Sequence, residues 1–101
     1  MEARQHTDEK QKDKIIITVV GKDAVGIIAR VCTYLAENQI NVEDISQTIV
    51  QGYFNMMMVA DARDCTKGFS VYSSELNGLG EEIGVLIRCQ KEEIFNKMHR
   101  I

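Results

Sequence analysis

The stretch Gly21-Lys22-Asp23-Ala24-Val25-Gly26 puts two glycines, a lysine and a carboxylate between a β-branched run and an amphipathic one. Glycines let backbone approach a ligand closely, and the unbonded N–H groups in the first turn of a following helix attract a carboxylate or a phosphate. The same residues also suit an ordinary tight turn with Asp23 as the helix N-cap. The spacing is not G-x-G-x-x-G and no Gly-Lys-Ser/Thr ending follows, so the signatures of dinucleotide and P-loop binding are missing. Asn41 is the second candidate. Its amide oxygen can accept from an ammonium group; read locally, it hydrogen-bonds its own backbone at the entry to a hairpin.

Other side chains carry weaker chemistry. Asp44, Ser46 and Thr48 share one face of an extended segment, where a solvated or subunit-rim role is commoner than a metal or polar ligand. Met56-Met57-Met58 cannot converge on one soft metal ion, because successive strand residues point to opposite faces; packing is their reading. Cys32, Cys65 and Cys89 are widely spaced, with no C-x-x-C pair and no nearby histidine to complete a zinc site, and read as reduced thiols. His6 falls in a polar tail, and His99 in a last helical turn where it can meet the final carbonyls. No catalytic residue, metal site or cofactor is expected.

These residues need elements to hold them. Residues 1–14 are almost wholly polar with balanced charge and predict a disordered tail, followed by one domain over 15–101. Ile15 to Val20 reads as a strand apolar on both faces, ending at Gly21. Ile28, Val31, Cys32 and Leu35 recur at helical spacing and predict a helix from about Val25 to Asn38. Ile40 to Val50 and Tyr53 to Ala60 read as a hairpin around Gln51-Gly52. Phe69, Tyr72, Leu76 and Leu79 predict a second helix with Gly80 as its stop. A last strand is expected over Ile83 to Cys89, and a short C-terminal helix with Ile94, Phe95, Met98 and Ile101 on its apolar stripe.

The order is βαββαβ plus one helix: an α+β, ferredoxin-like two-layer sandwich with a four-stranded antiparallel sheet. Both helices take one face, and the other face is too apolar to leave in water. The C-terminal helix or a second copy of the chain must cover it, and on this ground a homodimer is expected.

With 101 residues, 45% of them hydrophobic, the chain makes one domain and not a two-domain enzyme. Its formal charge of −3 lacks the basic footprint of a nucleic-acid or anionic-membrane binder. No apolar run reaches a membrane span, and the polar N-terminus is unlike a signal peptide, so a cytoplasmic location is expected.

Val20 to Ala29, Val-Gly-Lys-Asp-Ala-Val-Gly-Ile-Ile-Ala, resembles the opening of an ACT domain. The likeness continues through Ile40-Asn41-Val42-Glu43-Asp44-Ile45-Ser46-Gln47-Thr48, the Phe54 to Val59 strand and the ending Glu93 to Ile101, and is nearest to the bacterial and archaeal ACT proteins designated UPF0237. The resemblance implies a regulatory module in which two subunits pair and a small ligand, commonly an amino acid, sits at their interface. Carried over residue by residue, Asp23, Ala24, Val25, Gly26 and Ile27 match the ligand-facing loop. Asn41 matches the polar residue that reaches the ligand from the pairing subunit. Val25 stands where the family often has a proline, which leaves the loop without that restraint. An effector protein outside this chain would receive the signal.

Three other functions compete. Acylphosphatases share the size and fold, but need an arginine inside the first strand-to-helix loop; here Arg30 lies a turn into the helix and Asp23 repels an anion. RNA-recognition motifs need aromatics on the first and third strands in a basic setting, and the first strand has none. A pure protein-interaction module without a ligand is the remaining alternative.

Overall fold

Ile15, Ile17 and Val19 alternate along one face of the first strand and place it at the centre of a sheet. The structure is a computed structural model and describes residues 13–22 and 26–92. β1 (Lys14–Gly21) is flanked on one side by β3 (Tyr53–Asp61), with Ile17 opposite Met58 and Val19 opposite Met56. On its other side β4 (Leu86–Lys91) runs antiparallel, with Val19 opposite Ile87. Among the described residues β2 (Asn41–Val50) pairs only with β3, giving the order β2-β3-β1-β4. Gln51 and Gly52 close the β2–β3 hairpin with φ of 53° and 83°, the geometry of a two-residue type I′ turn.

α1 (Ile27–Glu37) and α2 (Phe69–Ile83) cover one face. Val31 and Leu35 from α1, and Tyr72 and Leu76 from α2, close over Ile17, Met56, Met58 and Ile87 in one core. Each such side chain removed from water stabilises the fold by about 1.5–3 kcal/mol. The helices are also tied by polar groups. The Tyr34 hydroxyl donates to Glu75 Oε1 at 2.6 Å, and Lys67 Nζ donates to the same oxygen at 2.8 Å. Lys67 first, and Tyr34 second, hold the Glu75 carboxyl below the usual glutamate range.

The βαββαβ order and the antiparallel sheet agree with the sequence, while several boundaries differ. Gly80 does not stop α2. It is buried inside the helix, where a Cβ would stand 2.7 Å from the Val85 carbonyl oxygen, so glycine allows the last strand to pass close. The helix turns out at Gly84 instead, at φ 82°. β4 therefore starts at Leu86 rather than Ile83. The helix predicted from Val25 begins at Ile27, and its N-cap is Gly26 rather than Asp23. Lys14, assigned to the tail, is the first residue of β1, opposite Asp61 and ion-paired to Glu43. Residues 1–12 and the expected helix over Ile94 to Ile101 lie outside the described residues.

Met57 points away from its neighbours Met56 and Met58, which are both buried. It shares the face opposite the helices with Tyr53 and Val50, all substantially exposed. Asp44, Ser46 and Thr48 lie on that face too, solvated. The three cysteines are free thiols. Among the described residues no helix is long and apolar enough to cross a membrane.

Candidate functional site

The turn after β1 opens onto a groove of about 330 Å³ lined by Lys22, Gly26, Ile27, Arg30, Ile83, Gly84 and Val85. Gly26 sits at φ 83°, a left-handed conformation that side chains resist, and its carbonyl accepts the Arg30 N–H at 3.0 Å to start α1. Ile27 is buried beneath it. No acidic residue occupies the first turn of α1. The charged side chains lining the groove, Lys22 and Arg30, are both basic. Lys22 Nζ lies 5.9 Å from the Tyr53 ring centroid, and Arg30 Nη2 makes an exposed 3.3 Å bond to Glu82. Such a groove suits a small carboxylate. Asp23, Ala24 and Val25, the other loop candidates, lie outside the described residues.

Asn41 is elsewhere. The register puts it opposite Asp61, which stands opposite Lys14, whereas Gly21 stands opposite Phe54. Asn41 and the turn are therefore at opposite ends of the sheet, on the order of 23 Å apart along β1 at about 3.3 Å per residue. One chain does not assemble them into one pocket. It equally fails to bring the loop and Asn41 together as an acylphosphatase-like pair.

Asn41 borders its own groove, of about 610 Å³, between the end of α1, the start of β2 and the loop after β3. Leu35, Ile40 and Val42 form an apolar wall, and Asp61, Arg63 and Asp64 bring charge. Asp61 Oδ1 accepts the Arg63 N–H at 2.9 Å, which fixes the loop's first turn. Sequence reasoning missed Arg30, Ile83, Val85 and Asp61 as groove residues. Arg30 was accessible to it, since four residues along a helix return to the same side as Gly26. Ile83, Val85 and Asp61 reach their grooves only through strand pairing and helix packing.

β2 is an edge strand whose outer side is unpaired among the described residues. Ile28, Gln47, Thr48, Ile49 and Phe54 line a third groove, of about 430 Å³, at the end of β2 nearest the turn. Ile49 is 72% exposed there.

The sequence profile of the ACT domain matches residues 13–90. A UPF0237 protein of Bifidobacterium longum is 63% identical over 89 residues, covering 88% of this chain and 99% of that protein. An ACT domain protein from Streptococcus pneumoniae has a similar structure, with a TM-score of 0.73 and 43% identity over 81% of this chain and 92% of that one. At 17% identity, a putative glycine cleavage system transcriptional repressor shares the fold with a TM-score of 0.69, over 76% of this chain and 45% of that one. Profile, relative and solved structure agree: the chain belongs to the ACT-domain family, among the proteins named UPF0237.

Proposed function

We propose that the chain is a cytoplasmic regulatory module that works as a homodimer, binds a small molecule, most simply an amino acid, between its subunits, and passes that binding on to an effector protein. Its action is binding rather than catalysis. Membership of the ACT-domain family supports the regulatory role. The observation that carries the interfacial site is the separation of the turn from Asn41 at opposite ends of the sheet, together with the free edge of β2.

β2 runs parallel to β1, so its start lies at the Asn41 end and its finish at the turn end. Two copies pairing β2 antiparallel about a two-fold axis set Asn41 of one against the Thr48 to Val50 end of the other, where Ile28 marks the start of α1. Such pairing also withdraws Ile45 and Ile49 from water. On this reading Asp23, Ala24, Val25, Gly26 and Ile27 form the ligand-facing loop, the N–H groups of Val25 to Ile27 receive the ligand's carboxylate, and the second copy's Asn41 meets its ammonium. A ligand held by both subunits favours one dimer arrangement in proportion to its differential affinity, and this is the regulatory signal.

A calorimetric and thermal-shift screen of the twenty amino acids, with sedimentation of the free protein, tests the reading. A true ligand at a hundred times its Kd stabilises the fold by about 2.7 kcal/mol. Gly26→Ala and Asn41→Ala should each weaken it. Monomeric sedimentation at micromolar concentration, or a ligand indifferent to both substitutions, would refute the site.

A further inference from the structure

We propose that the effector docks on the free edge of β4, as an extended acidic segment lying antiparallel to that strand along the groove between β4 and α2; the assignment rests on the effector reading above. β4 is the second edge of the sheet, and its outer side is unpaired among the described residues. In the proposed dimer the other subunit takes the β2 edge, which leaves the β4 edge for a different chain. Alternate residues of an edge strand turn their backbone N–H and C=O groups outward, where an added strand can pair with them.

Beside that edge runs a groove of about 570 Å³, with β4 from Ile87 to Gln90 as one wall and α2 as the other. On α2 the groove is lined by Ser70, Ser73, Ser74 and Asn77, whose spacing keeps hydroxyl and amide groups on one side of the helix along the strand. These groups suit the side chains of an added strand that point toward the helices. Charge selects the guest. Arg88 is exposed on the sheet face away from the helices, opposite Thr18 of β1, and has no ion pair among the described residues. No acidic residue lines the groove, and Lys91 adds a second cation at its Phe69 side, with Nζ 5.4 Å from the ring centroid. A carboxylate across the new ladder from Arg88 makes a favourable cross-strand pair. A second copy of β4, paired about a two-fold axis, would bring Arg88 and Lys91 against their own like charges, so the guest is a different chain.

The test is an NMR titration of the full chain with two blocked peptides, acetyl-Gln-Thr-Glu-Thr-Val-amide and the same peptide with lysine in place of glutamate. Laid antiparallel to β4, the glutamate falls opposite Arg88 and the threonines face α2. At millimolar concentration the acidic peptide is expected to move the amide signals of Ile87 to Gln90, Ser73 and Asn77, and to bind about fivefold more tightly than the lysine peptide. Arg88→Glu should reverse that preference and leave sedimentation unchanged. No response to the acidic peptide, a response confined to β2, or a preference that survives Arg88→Glu overturns the assignment. Loss of self-association in Arg88→Glu overturns it as well, because β4 is then the subunit interface. An amino-acid ligand found without any peptide response removes the β4 docking edge and keeps the ligand-binding reading. A peptide response that Arg88→Glu reverses, with no ligand among the twenty amino acids, does the opposite.

Discussion

β1 and β2 are both rich in β-branched residues, yet they have opposite fates. β1 buries Ile15, Ile16, Ile17 and Val19, whereas β2 buries none of its residues and exposes Ile45, Ile49 and Val50. Composition does not separate them; position does. β1 has a strand on each side and helices over one face, while β2 has a single neighbour among the described residues. Apolar side chains on a central strand stabilise the monomer. The same side chains on a free edge mark a surface for another chain.

Matched truncations measure that contrast. Ile17→Ala removes a side chain with 0% exposure and should cost about 2–5 kcal/mol in urea denaturation. A loss under about 1 kcal/mol would break the comparison. Ile49→Asp, at 72% exposure, should change the stability of the folded monomer by no more than about 0.5 kcal/mol and yet dissociate the proposed dimer, as read by sedimentation. Stable association in that variant would move the interface to the face bearing Tyr53 and Met57.

The smallest effect belongs to the other edge strand. Burial pushes the Cys89 thiol on β4 up to about 12 from an ordinary 9.0. In the folded state it stays protonated at pH 8.5 and should resist iodoacetamide that labels the urea-unfolded chain. The sign for stability follows. Above about pH 9 the unfolded chain gives up this proton before the folded one, so stability falls as pH rises from about 9 toward 12, and Cys89→Ala should flatten that slope. Rapid native labelling at pH 8.5 would show that β4 opens more readily than β1.

Much of the fold was legible because the signals were local. Alternation in β1, helical spacing in α2 and the Gln51-Gly52 turn each depend on near neighbours in the chain. Gly80 misled for a local reason too, since glycine beyond an apolar stripe usually ends a helix. Its actual role comes from the Val85 carbonyl packed against it, and that contact exists only once β4 has returned to the sheet. The candidate site divides in the same way. Gly26 was marked by the glycine-bounded turn and Ile27 by the family resemblance, while Asp61 had no pattern to mark it.

By itself the sequence determined the element order, the alternation that puts Met56 and Met58 inward and Met57 outward, and the turn whose chemistry suits a carboxylate. Those properties follow from side-chain period and backbone freedom. Only the tertiary structure decided that β2 lies at an edge, that Asn41 and Gly26 sit at opposite ends of the sheet, and that Asp61 is buried opposite Asn41. These are consequences of strand order and register. They are set by hydrogen bonds and packing between residues far apart in the chain, which no spacing along it records.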